Sequence, residues 1–310
     1  MPSANEIKEQ VARESHLRNR LAVPAFAGGF LYLLSAIIIT STLNGAPTVG
    51  VVQALTPALR GEASPAVSPR TPEVKFFSHH AFALIAGSTL AGLAIAALTL
   101  ILLLLLDATR FRRPATWVLA RPLVLVGGVT LAVLNVAHQV VSAIETHKFS
   151  VGHDFSIHAV NRALTEGTAN LAIEYLDLLA ALALAAGMIG VLINAFRVGL
   201  IPRWMSILGI FSGILILVPI GGATLEVVPA FWMVMMGILY GGRWPNGEPP
   251  AWAAGEARPW PSAAQVRAER QAGKGQPALA MAAGDVAPTP AQPASNGTSG
   301  KRRRKRRARR

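Results

Sequence analysis

Residues 81–106 read AFALIAGSTLAGLAIAALTLILLLLL, which is 26 consecutive residues without a charged side chain. An α-helix rises 1.5 Å per residue and the hydrocarbon core of a bilayer is about 30 Å thick, so about 20 apolar residues are enough to cross it. Strands of a membrane barrel would instead alternate between apolar and polar residues over about ten positions. The run therefore predicts a transmembrane α-helix.

Further apolar runs lie on both sides of this one. The last of them is short, and it reaches a sufficient length only if it begins near Ala223, after a turn marked by Pro219, Gly221 and Gly222. Together the runs predict an all-α polytopic membrane bundle of about six transmembrane helices. The five additional runs are 23–43, 122–144, 171–196, 204–225 and 227–242.

The composition excludes several classes of protein. Of the 310 residues, 52% are hydrophobic and 15% are charged, whereas a soluble domain has about 25% charged residues. Much of the charge lies at the ends, because nine of the last ten residues are basic. The chain is therefore neither a typical soluble enzyme nor wholly disordered, and without cysteine it is not a disulfide scaffold.

Lysine and arginine are distributed unequally between the two sides of the predicted bundle. One side carries 10 of them before the C-terminal tail, the opposite side carries 5 over longer loops, and the tail after Gly242 holds 14 more. Basic residues favour the cytoplasmic side, and an even number of spans places both termini together, so we expect both in the cytoplasm. The predicted parts are a cytoplasmic segment 1–22, a transmembrane domain 23–242 and a cytoplasmic tail 243–310.

The tail is rich in proline and alanine, and we expect it to be disordered, with Trp252 and Trp260 resting among the lipid headgroups. Its basic end is either a solvated terminus, an attachment to anionic lipid headgroups, or a phosphate contact with nucleic acid. No aromatic residue is interleaved in the run to stack on bases, so lipid is favoured over nucleic acid as the partner. The basic residues are Lys301, Arg302, Arg303, Arg304, Lys305, Arg306, Arg307, Arg309 and Arg310.

Polar residues recur along one face of the third and of the fourth predicted span. Their spacings of three and four residues match the helical repeat. The two spans are antiparallel, and counting from their outer ends places His138 and Asp177 about 10 Å inside the same leaflet. The two sets are Asn135, His138, Ser142 and Glu145 on the third span, and Asn170, Glu174 and Asp177 on the fourth.

These stripes predict an outward-facing polar pocket. An ionisable group at mid-depth in a bilayer costs about 2.5–3.5 kcal/mol on insertion scales, so such groups are candidates for function. In this interpretation His138, Glu174 and Asp177 move a proton or hold a cation, and polar groups opening the second and sixth spans point to the same leaflet. The pocket candidates are Asn135, His138, Glu174, Asp177, Glu226, His79 and His80.

Two structural interpretations compete with this pocket. If the fourth span is taken as 178–196, its 19 uncharged residues cover about 28 Å, and Glu174 and Asp177 then lie among the outer headgroups. Alternatively, the stripes form a buried hydrogen-bonded network that only joins helices. No His-Glu-x-x-His or comparable motif is present, so we expect neither a metal nor another cofactor.

Small-solute or proton-coupled transport is the favoured activity, and no catalytic residue is predicted. One alternative is an intramembrane metal-dependent hydrolase that uses the same histidine and acids near Ser142. Another is a membrane scaffold whose basic tail binds lipid or RNA. Gly209 and Gly213 form a small-xxx-small step, which serves packing inside the bundle, as we favour, or self-association.

Two short stretches resemble known sequences. Residues 199–204, GLIPRW, running into 207–210, ILGI, resemble a cytoplasmic-loop pattern of an uncharacterised family of bacterial six-helix membrane proteins. Residues 241–252, GGRWPNGEPPAW, are similar to the ends of actinobacterial membrane proteins without an assigned activity. The resemblance implies a bacterial origin and the plasma membrane, and it supplies no catalytic residues.

Overall fold

The computed structural model describes residues 3–47, 49, 67–115, 117–217, 223–245 and 247–260. Over these residues the chain is helical and has no strand, which confirms the predicted all-α class. The elements of this part of the chain are α1 (Ala4–Leu43), α2 (Thr71–His79), α3 (Ala81–Arg112), α4 (Ala120–Val151), α5 (Ile157–Asn161), a π-helical turn (Arg162–Glu166), α6 (Thr168–Val198), α7 (Arg203–Leu217), α8 (Ala223–Tyr240) and α9 (Pro250–Ala254).

The first helix begins well before the predicted bilayer entry at residue 23. Ser3 and Glu6 form a capping box: the Ser3 hydroxyl accepts the Glu6 N–H at 3.3 Å, and the Glu6 carboxylate accepts the Ser3 N–H at 2.6 Å. This arrangement satisfies two N–H groups that a helix start otherwise leaves unpaired. From Ala4 onward, the segment before the first predicted span belongs to the same continuous helix as that span.

Four helical stretches are long and apolar enough to cross a membrane. They are Ala4–Leu43, Ala81–Arg112, Ala120–Val151 and Ile157–Val198, the last of which combines α5, the π-helical turn and α6. α7 and α8 are also apolar but shorter, with 15 and 18 residues. The turn predicted between them, at 218–222, lies outside the described residues, so the count of six spans stays a prediction.

Six of the helices pack in a closed order. Each neighbouring pair in the series α1, α3, α4, α6, α7, α8 is in contact, and α8 returns to α1. α3 also contacts α6 across the ring. α3 is the central element, because 17 of its 32 residues are buried. The apolar core is formed mainly by α3, α6 and α8 and includes the fully buried Leu105, Met188 and Trp232.

Close approach of the helices depends on small residues. A Cβ atom on Gly127 of α4 would lie 2.6 Å from the backbone nitrogen of Leu184 on α6. A Cβ atom on Gly209 of α7 would lie 2.6 Å from both the Leu192 side chain and the Trp232 indole nitrogen. Gly209 therefore serves packing inside the bundle, as predicted for its small-xxx-small step.

A second, smaller core lies at the predicted outer end. Phe149 at the end of α4 packs with Val74 of α2 and with Val160 and Ala163 of the following segment. The Ser156 hydroxyl caps α5 by accepting the Ala159 N–H. Asp154 in turn accepts the Ser156 backbone N–H at 3.0 Å, and this bond holds the pKa of its carboxyl below the usual range.

The segment after α8 folds against the predicted cytoplasmic end of the bundle. Trp252 of α9 is 1% exposed, and its indole N–H donates to the Leu200 carbonyl at 2.8 Å. The Trp260 indole N–H donates to the Ile201 carbonyl at 2.8 Å, and the Arg258 backbone N–H donates to the Val198 carbonyl. We name residues 243–260 the exit segment.

This segment differs from the sequence-based prediction, which placed it in a disordered tail with Trp252 among the headgroups. The folded part of the chain extends to Trp260, and Trp252 belongs to the protein core. The physical reason is that the tryptophan carries both a large apolar surface and an indole N–H, which reaches an unpaired carbonyl after α6. The remainder of the predicted tail, 261–310, including its polybasic end, lies outside the described residues.

Buried charges surround Trp252. Both terminal nitrogens of Arg112 on α3 donate to the two carboxylate oxygens of Glu14 on α1 at 2.8 Å. Arg18 forms an ion pair with Glu248, and its guanidinium carbon lies 4.5 Å from the centre of the Trp252 ring. The exit segment, α1 and α3 are thereby joined, and the sequence analysis did not identify this cluster.

Candidate ligand cavity

A cavity with two adjoining lobes lies between α1, α3, α4, α6, α7 and α8. The lobes have volumes of about 280 and 210 Å³, which is room for several water molecules in each. The first is rich in polar residues and the second in apolar ones, and we call them the polar lobe and the apolar lobe. Five residues line both: Tyr32, Ile95, Asn135, Asp177 and Glu226.

The polar lobe extends toward the predicted outer surface. Its lining continues from Asn135 and Asp177 toward the outer end of α4 and α6. The residues specific to it are Ser35, Ile39, Ser88, Ala91, His138, Gln139 and Glu174. The apolar lobe extends in the opposite direction, and the residues specific to it are Ala94, Leu98, Leu131, Ala181, Leu215, Ile216, Pro229 and Met233.

Helical periodicity explains why these side chains meet. Asn135 and His138 are three residues apart on α4, and Glu174 and Asp177 are three residues apart on α6, so each pair lies on one face. α4 and α6 pack against each other in opposite directions, which brings the two faces to the same level. Glu226 joins them from the first turn of α8.

The structure brings together five of the seven predicted pocket residues. Asn135, His138, Glu174, Asp177 and Glu226 all line the polar lobe. The two remaining candidates lie elsewhere, where α2 meets α3. His79 is exposed, and His80 stacks on the Phe76 ring and has its Nδ1 atom 2.9 Å from the Phe76 carbonyl oxygen.

The cavity carries an excess of negative charge. Glu174, Asp177 and Glu226 are carboxylates, and among the described residues of the lining there is no lysine or arginine. None of the three makes an ion pair or a hydrogen bond with another residue of the described part of the chain. His138 interacts electrostatically with Asp177, and among the described lining residues it is the one that gains a positive charge on protonation.

Burial differs among these groups. Asp177 and Glu226, which line both lobes, are partly buried, whereas Glu174 and His138 are exposed. The two partly buried carboxylates therefore lie at the junction of the lobes, and the exposed groups lie on the outer side. The exposure of Glu174 is expected in both the pocket and the headgroup interpretation, whereas the lining that Asp177 shares with Glu226 is the feature that supports a pocket.

Two serines extend the site beyond what sequence reasoning identified. Ser35 on α1 and Ser88 on α3 are each 2% exposed, line the polar lobe, and have no hydrogen-bond partner in the described part of the chain. Other buried hydroxyls of the bundle behave differently: those of Thr99 and Ser212 donate to carbonyls four residues earlier in their own helices. A lone serine in an apolar run has no periodic pattern, so the sequence offers no signal for either residue.

Beyond the apolar lobe the bundle is tightly packed toward its predicted cytoplasmic end. Leu102, Leu184 and Met188 are fully buried there, and the Tyr240 hydroxyl donates to the Ile101 carbonyl at 2.9 Å. The exit segment covers this end. The cavity is therefore separated from the cytoplasmic end by the core and the exit segment.

The residues considered for a metal-dependent hydrolase do not all lie together. Within the described ranges, no group of three or more histidine, aspartate and glutamate side chains is placed to hold a metal ion. Ser142, the hydroxyl considered with that activity, does not line either lobe. It borders a separate small space with Gln139 and Thr146, and its carbonyl accepts the Thr146 hydroxyl.

Comparison with models of protein families, with curated proteins and with solved structures gives no match for this chain. The cavity is therefore interpreted from its own geometry and charge.

Proposed function

We propose that the chain is a six-span protein of a bacterial cytoplasmic membrane that transports a proton or a small solute through the two-lobed cavity. In this proposal α7 and α8 are the fifth and sixth spans, since they complete the ring of packed helices. The excess of basic residues on one side supports cytoplasmic termini. The two sequence stretches that resemble bacterial six-helix proteins support the bacterial membrane.

One observation carries the proposal: three carboxylates and one histidine, drawn from three helices, line a single cavity inside an apolar bundle. Placing an ionisable side chain inside a membrane costs free energy, and the ionisable residues found there usually face a cavity on an ion or substrate pathway. A bundle that needed only to be stable would be better served by apolar side chains of similar size.

We assign roles by position. Asp177, at the junction of the lobes, is the principal proton or cation acceptor, and Glu174 is the acceptor nearer the predicted outer surface. His138 is the partner of Asp177, because its protonation state changes the charge beside that carboxylate. The packed cytoplasmic end means that transport requires a second state in which the inner core and the exit segment separate.

Proton flux into proteoliposomes tests this proposal. The full chain is reconstituted, a potassium diffusion potential is imposed with valinomycin, and a trapped pH indicator records proton entry. We expect a flux above that of protein-free liposomes, and we expect Asp177→Asn to abolish its pH dependence. The matched control is Asp107→Asn, which removes a carboxylate from the exposed ion pair with Arg121 outside the cavity and leaves the flux unchanged.

Two outcomes contradict the proposal. One is a wild-type proton flux equal to that of empty liposomes, which contradicts the proton-transport form of the proposal. The other is an Asp177→Asn flux with the same pH dependence as the wild type in protein that elutes as a single folded species.

For the polybasic end, the proposed partner is the anionic headgroup layer of the cytoplasmic leaflet. Nine positive charges near a negatively charged membrane each contribute about 1 kcal/mol of attraction. This would hold the tail at the membrane surface without a further folded domain.

A further inference from the structure

We infer that the ligand of the cavity is an amphipathic organic cation: a positively charged amine or ammonium group with an apolar substituent. This inference rests on the proposed function, because it names the substrate class of the same site. The positive group lies at the junction between Asp177 and Glu226, and the apolar substituent fills the apolar lobe.

The sign of the charge follows from the lining. Three carboxylates face the cavity, and its described lining has no lysine or arginine to neutralise them. An anionic ligand would add to this unbalanced negative charge, whereas a cation compensates it. His138, the remaining titratable group, is exposed on the outer side of the polar lobe, and Tyr32 faces the junction from α1.

The position of the charge follows from the two carboxylates that both lobes share. Asp177 on α6 and Glu226 on α8 are partly buried and line both the polar and the apolar lobe. A cation at this junction contacts a carboxylate from each of two helices. It also lies beside Asn135 and Tyr32, whose oxygen atoms supply additional polar contacts.

Ser35 and Ser88 are a second observation that points to a ligand. Both side chains are almost fully buried, both line the polar lobe, and neither hydroxyl has a partner in the described part of the chain. In the described part of the chain the buried polar side-chain atoms without a partner are Arg18 Nε and Asn170 Oδ1, so the two serine oxygens are not sealed in the protein but open onto the lobe, where a guest can contact them. The negative end of each serine hydroxyl dipole attracts a positive group, whether that group carries N–H donors or only methyl substituents.

The apolar lobe distinguishes an organic cation from an inorganic one. Hard metal cations such as Mg²⁺ and Ca²⁺ require oxygen ligands on several sides. The residues that line only the apolar lobe have apolar side chains instead, among them Leu98, Leu131 and Met233. An inorganic ion at the junction would leave this lobe unused, whereas an aromatic or branched alkyl group would bury its surface there.

The test measures binding to the full chain in detergent by isothermal titration calorimetry. Three probes separate charge from apolar contact: benzyltrimethylammonium has both, tetramethylammonium has the charge alone, and benzyl alcohol has the ring alone. We expect saturable binding of benzyltrimethylammonium at one site, at least about tenfold tighter than either comparison probe. Equal affinity for benzyltrimethylammonium and tetramethylammonium, or tighter binding of benzyl alcohol, overturns the inference.

Variants assign the binding to the two lobes. Asp177→Asn should weaken the binding of both cations by at least about tenfold, which is the equivalent of one lost charge contact. Asp107→Asn should leave the affinity for both cations unchanged. Ala181→Leu places a larger side chain in the apolar lobe. It should weaken the binding of benzyltrimethylammonium and leave the affinity for tetramethylammonium unchanged. If Ala181→Leu does not fold, the wild-type probe series still decides the question.

Failure of this inference is distinguishable from failure of the proposed transport. If proton flux depends on Asp177 but benzyltrimethylammonium does not bind, the organic cation is ruled out as the ligand and the transport proposal still stands. Specific binding that is lost in Asp177→Asn, together with no flux in proteoliposomes, retains the ligand class and identifies the cavity as a receptor site.

Discussion

Glu14 and Arg112 form a bidentate ion pair that joins the start of α1 to the end of α3, with side chains that are 3% and 0% exposed. The remaining N–H groups of Arg112 donate to the carbonyls of Ala108 and Ala251. All five guanidinium donors are therefore used, and one of the acceptors belongs to the exit segment. A buried charge with this set of partners fixes the relative position of three separate parts of the chain.

The first prediction is that Glu14→Ala destabilises the protein by about 3–5 kcal/mol, because it leaves the Arg112 guanidinium buried without a counter-charge. Chemical unfolding in mixed micelles measures the loss. Glu145→Ala is the control: it breaks the exposed pair with Lys148, and a surface pair of this kind is worth at most about 1 kcal/mol. Equal losses in the two variants would show that the Glu14 pair is not buried in solution.

The second prediction concerns the boundary of the folded domain. A chain that ends after Trp260 should unfold at the temperature of the full chain. A chain that ends after Gly242 should unfold at a lower temperature, because it lacks Trp252 and exposes Arg18 and Arg112. Within the longer chain, Trp252→Ala should cost about 3–5 kcal/mol.

Thermal unfolding followed by tryptophan fluorescence or light scattering compares these chains. If the chain ending after Gly242 were as stable as the chain ending after Trp260, the exit segment would not be part of the folded unit. The chain ending after Trp260 serves as the control for truncation itself.

The third prediction is that water reaches the polar lobe and that its potential is negative. The chain has no cysteine, so Ser35→Cys places a single thiol in the lobe. A cationic methanethiosulfonate should label this thiol at least about tenfold faster than the anionic sulfonate reagent, because the carboxylates attract one and repel the other. Reaction rates are followed by mass spectrometry.

Ser212→Cys is the matched control, since Ser212 is fully buried on α7 and lines neither lobe. Neither reagent should label it in the folded protein. Equal rates for the two reagents at position 35 would contradict a negatively charged cavity, and no labelling there would contradict a cavity open to water.

The fourth prediction concerns the polybasic end. A peptide of residues 296–310 should sediment with vesicles that contain phosphatidylserine and not with neutral vesicles, and salt should release it. The same residues with alanine at the nine basic positions are the control. Preferential binding to RNA, with no binding to anionic vesicles at physiological salt, would reverse the choice of partner.

Sequence reasoning identified the part of the cavity that has a periodic pattern. Polar residues on α4 and α6 stand out because they recur every three or four positions in otherwise apolar runs, and this repeat shows which face they share. Their partners Tyr32, Ser35 and Ser88 are single polar groups without such a repeat. Which faces of α1 and α3 meet them depends on packing between helices that are far apart in sequence.

The exit segment could not be assigned from composition for a related reason. Its prolines and glycines are typical of a disordered tail, and the features that oppose this are three tryptophans and a few charges. Their effect depends on distant residues: Trp252 meets a carbonyl that follows α6, and Arg112 reaches Glu14 across 98 positions of the chain. No local pattern reports such contacts.

The carbonyl of Ala251 has a consequence for biosynthesis. Synthesis runs from the N-terminus, so Glu14 and Arg112 are made before Ala251, whose carbonyl completes the hydrogen bonds of the Arg112 guanidinium. Each nascent molecule thus passes through a stage in which the helices α1 to α8 have been made but the exit segment has not. A chain shortened by a premature stop codon would remain at that stage, with two arginines uncovered for the proteases that remove defective membrane proteins.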